Sequence, residues 1–196
     1  MNKTNFRPGF GPLEAILILS ATLLVISAGF TYLSVFQAEQ RDQMRIANLK
    51  KIQSAVNKYY NEYGQFPAGD QDVDNWDLGY RDANDHRFIH PLVEKGLLPA
   101  NFAADPISKY DETSGVDYTF RYQVYADDGK YCPIGQGKFY VLGIKDLETA
   151  NVDSNNQLSH FEGSGFMCKN RNWQDEFDYV IGVFANPITK RQTTAK

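Results

Sequence analysis

The sequence predicts an α+β chain, in which a long N-terminal helix packs on a small antiparallel β-sheet as a roll. Three observations predict it. The run from Ala15 to Phe36 carries no formal charge over 22 residues, and as a helix it rises about 33 Å, enough to cross the hydrocarbon core of a bilayer. Beyond it Ile46, Leu49, Ile52, Val56, Tyr59 and Tyr63 recur at spacings of 3, 3, 4, 3 and 4, which places them on one helix face. From Val116 onward, period-two alternation takes over, the mark of a strand with one covered face.

Composition sets the bounds. The chain has 196 residues, of which about 160 follow the apolar run, enough for one core. Twenty Lys and Arg against 24 Asp and Glu give a net charge of −4, which excludes a general basic face for nucleic acid. The remainder is rich in Tyr, Phe, Asp, Asn and Gly and reads as a domain outside the cytoplasm, carried on an anchor.

Taken in order, the first element is a short basic stretch. Lys3 and Arg7 precede the run, and positive charge on that side keeps it cytoplasmic. The apolar run is too long for an ordinary secretory signal, and Phe30, Tyr32, Leu33, Val35 and Phe36 stand where small residues would mark its cleavage. A plain signal anchor explains these features, but it leaves Glu14 unexplained. A carboxylate at the mouth of such a segment is costly without a partner.

No strong stop separates the run from the amphipathic stretch, so Pro12 to Tyr63 reads as one helix. Lys50, Lys51, Ser54, Asn57, Lys58 and Asn61 lie off its apolar stripe. Gly64 supplies a helix C-terminus and Pro67 blocks its return. Pro12 sits in the first turn, where its missing N–H costs nothing.

Residues 68–85 are polar and acidic. Asp70, Asp72, Asp74 and Asp77 have a calcium-loop spacing, but Asn75 and Arg81 stand where that motif needs Gly and Glu. The expectation is a solvated loop. His86, Phe88, Ile89, Leu92, Val93, Leu97 and Leu98 suggest a short helix or turn closed by Gly96 and Pro99, although Pro91 argues against a regular helix. Strands are expected over Val116–Tyr125, Lys138–Ile144 and Phe177–Phe184, with Asp127-Asp128-Gly129 as a turn. In the first strand Val116, Tyr118, Phe120, Tyr122 and Val124 share a face. Residues 186–196 form a polar tail with Lys190, Arg191 and Lys196.

The two cysteines, Cys132 and Cys168, are an even pair in a domain placed outside the cytosol, which favours a disulfide over two separate thiols. His160 alone does not complete a zinc site with them. Asp146, Glu148 and Asp153 of the late loop could ligate calcium, but solvated acids are the plainer reading. No nucleophile elbow, phosphate-cradling glycine loop or metal-ligand helix occurs, and His86 and His90 read as surface residues. The expectation is a non-enzyme without a cofactor.

The stretch Gly9-Phe10-Gly11-Pro12-Leu13-Glu14 resembles the type IV pilin family and its type II secretion pseudopilin relatives. A short basic leader ends in Gly, Phe follows, and Glu is fifth counting from Phe10. The segment Tyr59-Tyr60-Asn61-Glu62-Tyr63-Gly64-Gln65-Phe66-Pro67 resembles the family a second time, and Gly96-Leu97-Leu98-Pro99 with Asp105-Pro106 is similar to its connecting region. The chain departs from the pattern at Gly11-Pro12 and has Gly29 rather than a proline within the apolar helix.

The resemblance implies that a prepilin peptidase cuts between Gly9 and Phe10 and methylates the new amine of Phe10. It implies a homo-oligomeric helical filament, drawn from the cytoplasmic membrane by an assembly platform protein and ATPase. There the Phe10 amine of one subunit meets Glu14 of a neighbour and sets register. It also implies a C-terminal loop fixed by a disulfide or by calcium. The divisions expected are a leader (1–9), a membrane-spanning and filament-core helix (10–37), an amphipathic helix (38–67), a globular domain (68–185) and the tail. The expected function is a major subunit of a surface pilus. The alternatives are a secretion pseudopilin, a minor pilin with adhesion or DNA-uptake binding through Lys190, Arg191 and Lys196, and a signal-anchored surface domain.

Overall fold

The computed structural model describes residues 11–70, 75–79, 88–99, 107, 109–111, 116–149 and 164–185. The leader with Gly9 and Phe10, His86, the Asp105-Pro106 pair, Asp153, His160 and the tail lie outside them. Helix α1 runs from Pro12 to Tyr63 over 52 residues without interruption. The chain divides after Gln40 into two compact units.

In the second unit α1 packs on an antiparallel sheet, the α+β arrangement expected. The sheet has strand order β1-β4-β5-β8, with β1 at Asp77–Leu78, β4 at Phe120–Tyr125, β5 at Phe139–Ile144 and β8 at Tyr179–Phe184. Ile46, Leu49, Ile52, Val56 and Tyr59 are buried against Phe120, Tyr122, Tyr140, Leu142, Ile144 and Tyr179 of the sheet. The predicted stripe therefore meets the predicted strand face. Tyr63, its last member, is exposed, with the Lys95 ammonium 5.7 Å from its ring centre. Gly64 closes the helix with φ +72°, and its N–H reaches Tyr60 O at 2.8 Å.

The opposite face of the sheet is covered as well. Trp76, Leu78, Tyr125, Phe139, Val141, Trp173, Phe177 and Val180 form a second core. This explains β5, whose residues Phe139-Tyr140-Val141-Leu142-Gly143-Ile144 are all buried and do not alternate. A central strand between two covered faces has no solvent side to mark with polar residues.

Four expectations need correction. Val116–Tyr125 is two strands rather than one. β3 (Val116–Tyr118) pairs with β2 (Lys109–Asp111) in a separate ribbon, and β4 begins at Phe120. Thr119 breaks the ladder between them: its hydroxyl donates to Asp117 Oδ1 at 2.7 Å and its N–H to Asp117 O at 3.0 Å, local bonds that compete with strand pairing. Residues 76–78 of the acidic segment are buried and supply β1. There Asp77 Oδ2 accepts the N–H groups of Asp70 (3.1 Å) and Ile89 (2.8 Å), so this carboxylate holds backbone together rather than facing water.

A regular helix does form at Pro91. In α2 (His90–Glu94) the proline lies in the first turn, where no N–H is missed. Gly96, at φ +66°, donates to Val93 O, and Leu97 donates to Leu92 O, the two bonds of a Schellman close. Ile89 enters this helix at φ 46°, a left-handed conformation rare for a β-branched residue. Finally, β8 starts at Tyr179, and Phe177 lies before it, buried in the second core.

Among the tyrosines of the first core, Tyr122 donates its hydroxyl to Pro67 O at 2.9 Å and Tyr140 to Asn57 Oδ1 at 3.0 Å. The buried Tyr179 hydroxyl has no hydrogen-bond partner among the described residues. Tyr179→Phe is therefore expected to leave stability unchanged or to raise it, whereas Tyr122→Phe costs about 1 kcal/mol. Urea unfolding of the two variants checks this, and a loss above about 1 kcal/mol for Tyr179→Phe contradicts it.

Candidate functional site

The helix start is built around Gly11, Pro12 and Glu14. Gly11 O accepts the N–H groups of Glu14 (3.1 Å) and Ala15 (3.2 Å), which opens the helix. The Glu14 carboxylate turns back and accepts the Gly11 N–H at 3.0 Å, the reciprocal half of a capping box. Pro12 contributes no donor. Between them these residues satisfy or remove most of the N–H groups that a helix start leaves open. Glu14 is thus held at the positive end of the helix dipole. Phe10, its expected partner, lies outside the described residues, so their pairing is not placed.

The apolar run is exposed on every side. Leu23, Leu24, Val25, Phe30 and Tyr32 are among its exposed side chains, and its most apolar window is wholly unburied. It is the one helix among the described residues long and apolar enough to cross a membrane. Its serines and threonines fit a dry environment. Ser20 donates to Leu17 O, Thr22 to Ile18 O, Ser27 to Leu24 O, Thr31 to Ser27 O and Ser34 to Thr31 O, at 2.7 to 3.0 Å. Each hydroxyl proton is spent within the helix, as hydrocarbon requires.

Cys132 and Cys168 form a disulfide. It ties the loop between β4 and β5 to a hairpin of β6 (Met167–Cys168) and β7 (Arg171–Asn172). Next to it the Arg171 guanidinium lies 5.1 Å from the ring centres of both Tyr131 and Trp173 and pairs with Glu176 through two bonds of 2.7 Å. That hydrogen-bonded pairing holds the Glu176 carboxyl below the usual range. Burial raises the Tyr125 hydroxyl of the same cluster to about 12.

A buried ion cluster lies where α1 enters the second unit, and sequence reasoning missed it. Asp42 and Arg45 are 1% and 0% exposed, with Arg45 Nη1 3.1 Å from Asp42 Oδ1. The Asp42 carboxylate also accepts the Glu148 N–H (3.2 Å), the Thr149 N–H (2.9 Å) and the Thr149 hydroxyl (2.8 Å). Arg41 grips Glu148 at 2.6 and 3.0 Å, and that bond raises the guanidinium further above its ordinary value. Asp178 takes the Leu147 N–H at 2.7 Å, and burial pushes its carboxyl up. The strap 145–149 is thereby pinned to helix and sheet. A signal was present: carried back by the helical period, the stripe falls on Arg45 and Asp42.

Two of the acids considered for calcium are engaged with donors. Asp146 accepts the Asp117 N–H at 2.6 Å, and Glu148 holds Arg41. Among the described residues no group of three or more His, Cys, Asp and Glu is placed to hold a metal ion. His90 Nε2 stands 3.1 Å from Glu94 Oε1 on α2. No family model, curated protein or solved structure matches the chain.

Proposed function

We propose that this chain is a structural subunit of a helical surface filament of the type IV pilus kind, stored in the cytoplasmic membrane before assembly. The observation that carries the reading is the first half of α1: a charge-free helix unburied on all sides, with its hydroxyls internally bonded, opening on a single carboxylate. A helix apolar all round needs a dry surround. A bilayer provides one, and a bundle of like helices provides another, so one segment serves as anchor and then as filament core.

In this reading the basic leader stays cytoplasmic and the domain lies outside. A prepilin peptidase cuts after Gly9, and Phe10 becomes the methylated terminus. An assembly ATPase and platform protein then move the subunit into the filament. The Phe10 amine of an arriving subunit displaces the Gly11 N–H as partner of a neighbour's Glu14. A charge unpaired in an apolar bundle is strongly disfavoured, so this pair selects register more than it adds stability.

Glu14→Ala tests the reading. The variant is expected to insert in the membrane as the parent does, while filaments counted by electron microscopy fall at least about tenfold, the equivalent of about 1.4 kcal/mol per register contact. Filaments in normal number would contradict it.

A further inference from the structure

The four-stranded sheet ends on one side at β8, which pairs with β5 alone. The direction of its main-chain groups follows from the bonds around it. The Ala185 N–H donates to Lys138 O at 2.7 Å. By the alternation of an antiparallel ladder, Tyr179, Ile181 and Val183 then also point their N–H and C=O groups at β5, and Val180, Gly182 and Phe184 point theirs away. At Val180 this is seen directly: its N–H donates to Ser164 Oγ at 3.1 Å, and its carbonyl accepts the Gly165 N–H at 2.8 Å. The outward groups of Gly182 and Phe184 have no such partner among the described residues. Both residues, and Val183 between them, are partly exposed.

An edge of this kind is a template for another strand, and proteins commonly blunt it with charge, with proline or by keeping the edge strand very short. The opposite edge is blunted, since β1 has only two residues and one of them is Asp77. β8 carries neither charge nor proline.

The pattern of open groups matches itself. Turning a second copy about a two-fold axis at Val183 lays the two β8 strands antiparallel, with Gly182 of each opposite Phe184 of the other. Both are outward residues, so each such pair exchanges two N–H···O bonds. The two pairs use every open group of Gly182 and Phe184, and each donor of one edge meets an acceptor of the other. The ladder stops at Val180, whose groups are already taken by Ser164 and Gly165. With no formal charge in β8, the axis brings no like charges of that strand together.

We propose that β8 is a docking edge for a second copy of this chain, the two sheets joining through Gly182 and Phe184 in an isologous contact. The axis stands normal to the sheet, so the stretch of α1 packed on that sheet runs in opposite directions in the two copies. The contact involves the globular unit alone and does not depend on the filament reading.

The test uses the full chain, one copy per nanodisc. Sedimentation is expected to show discs pairing as concentration rises, and exchange of the Gly182 and Phe184 amide hydrogens slows at least about tenfold in the paired form. Val183→Lys sets two ammonium groups beside the axis and is expected to weaken pairing at least about fivefold, with an unchanged thermal melt excluding misfolding as the cause. Val183→Cys, close in size to the parent, gives a second measure. Its cysteines are expected to join the two copies by a disulfide under mild oxidation, whereas Ser54→Cys, on the exposed face of α1, leaves them unlinked. Discs that do not pair at any concentration overturn the proposal, as does pairing that leaves both amides unprotected or the Val183→Cys copies unlinked. Protection of both amides in unpaired chains, lost on truncation after Ala185, assigns the edge to the chain's own tail and overturns it too.

Discussion

Asp42→Ala is expected to lower the stability of the globular unit by about 3 to 5 kcal/mol, the cost of removing one partner from a buried ion pair. The reason lies in what the carboxylate holds. Arg45 is fully buried beside it. Two backbone N–H groups and one hydroxyl from Glu148 and Thr149 end on its oxygens. Alanine leaves the guanidinium without that neighbouring charge and three donors without that acceptor. These donors are part-buried, and each one stranded away from water costs about 1 to 3 kcal/mol. Asp42→Asn should fall between, since one amide oxygen can still accept. Urea unfolding followed by the fluorescence of the buried Trp76 and Trp173 measures both. A loss below about 1 kcal/mol for Asp42→Ala would mean that the strap at 145–149 does not depend on Asp42.

The second large effect concerns the disulfide. Replacing Cys132 and Cys168 together with serine is expected to cost about 4 kcal/mol, from the chain entropy released when the sequence separation of 36 is no longer closed. The loss should concentrate on the second core. Cys132 is part of it, and Cys168 packs against it. The covering hairpin adds only a two-residue pairing of its own. Comparing thermal midpoints with and without reductant checks this in the parent, and the serine pair should match the reduced form. An unchanged midpoint on full reduction would contradict the entropic account.

The readability of this chain follows the clarity of its periods. α1 was legible because lipid-like composition and a stripe of spacing three and four are strong signals, and because Gly64 and Pro67 punctuate its end. The helix-facing side of the sheet was legible through the alternation of Phe120, Tyr122 and Val124. The second core was not. Its residues come from four separate places, with Trp76 in an acidic segment and Trp173 beside a hairpin. No local window shows that a loop will fold back over a sheet. The unbroken apolar run of β5 was the available hint.

Charged residues were misread where they serve the backbone. Asp77 looked like a member of a solvated acidic loop, yet it holds the N–H groups of Asp70 and Ile89. Asp42 and Arg45 precede the first apolar residue of the stripe, yet they lie on its buried face. A carboxylate that accepts several N–H bonds can be buried at tolerable cost, and composition does not distinguish such an acid from a surface one. The disulfide was legible from an even cysteine pair and an anchor. Gly9, Phe10 and Glu14 rest on the resemblance, and of these Glu14 alone is described, bonded to its own helix start.

The filament reading rests on how the chain begins when mature. Mass spectrometry of the protein isolated from its native membrane or filament measures that directly. The account predicts a chain starting at Phe10, with the added mass of one N-methyl group and without the leader through Gly9. A chain retaining Met1 and the leader would contradict it.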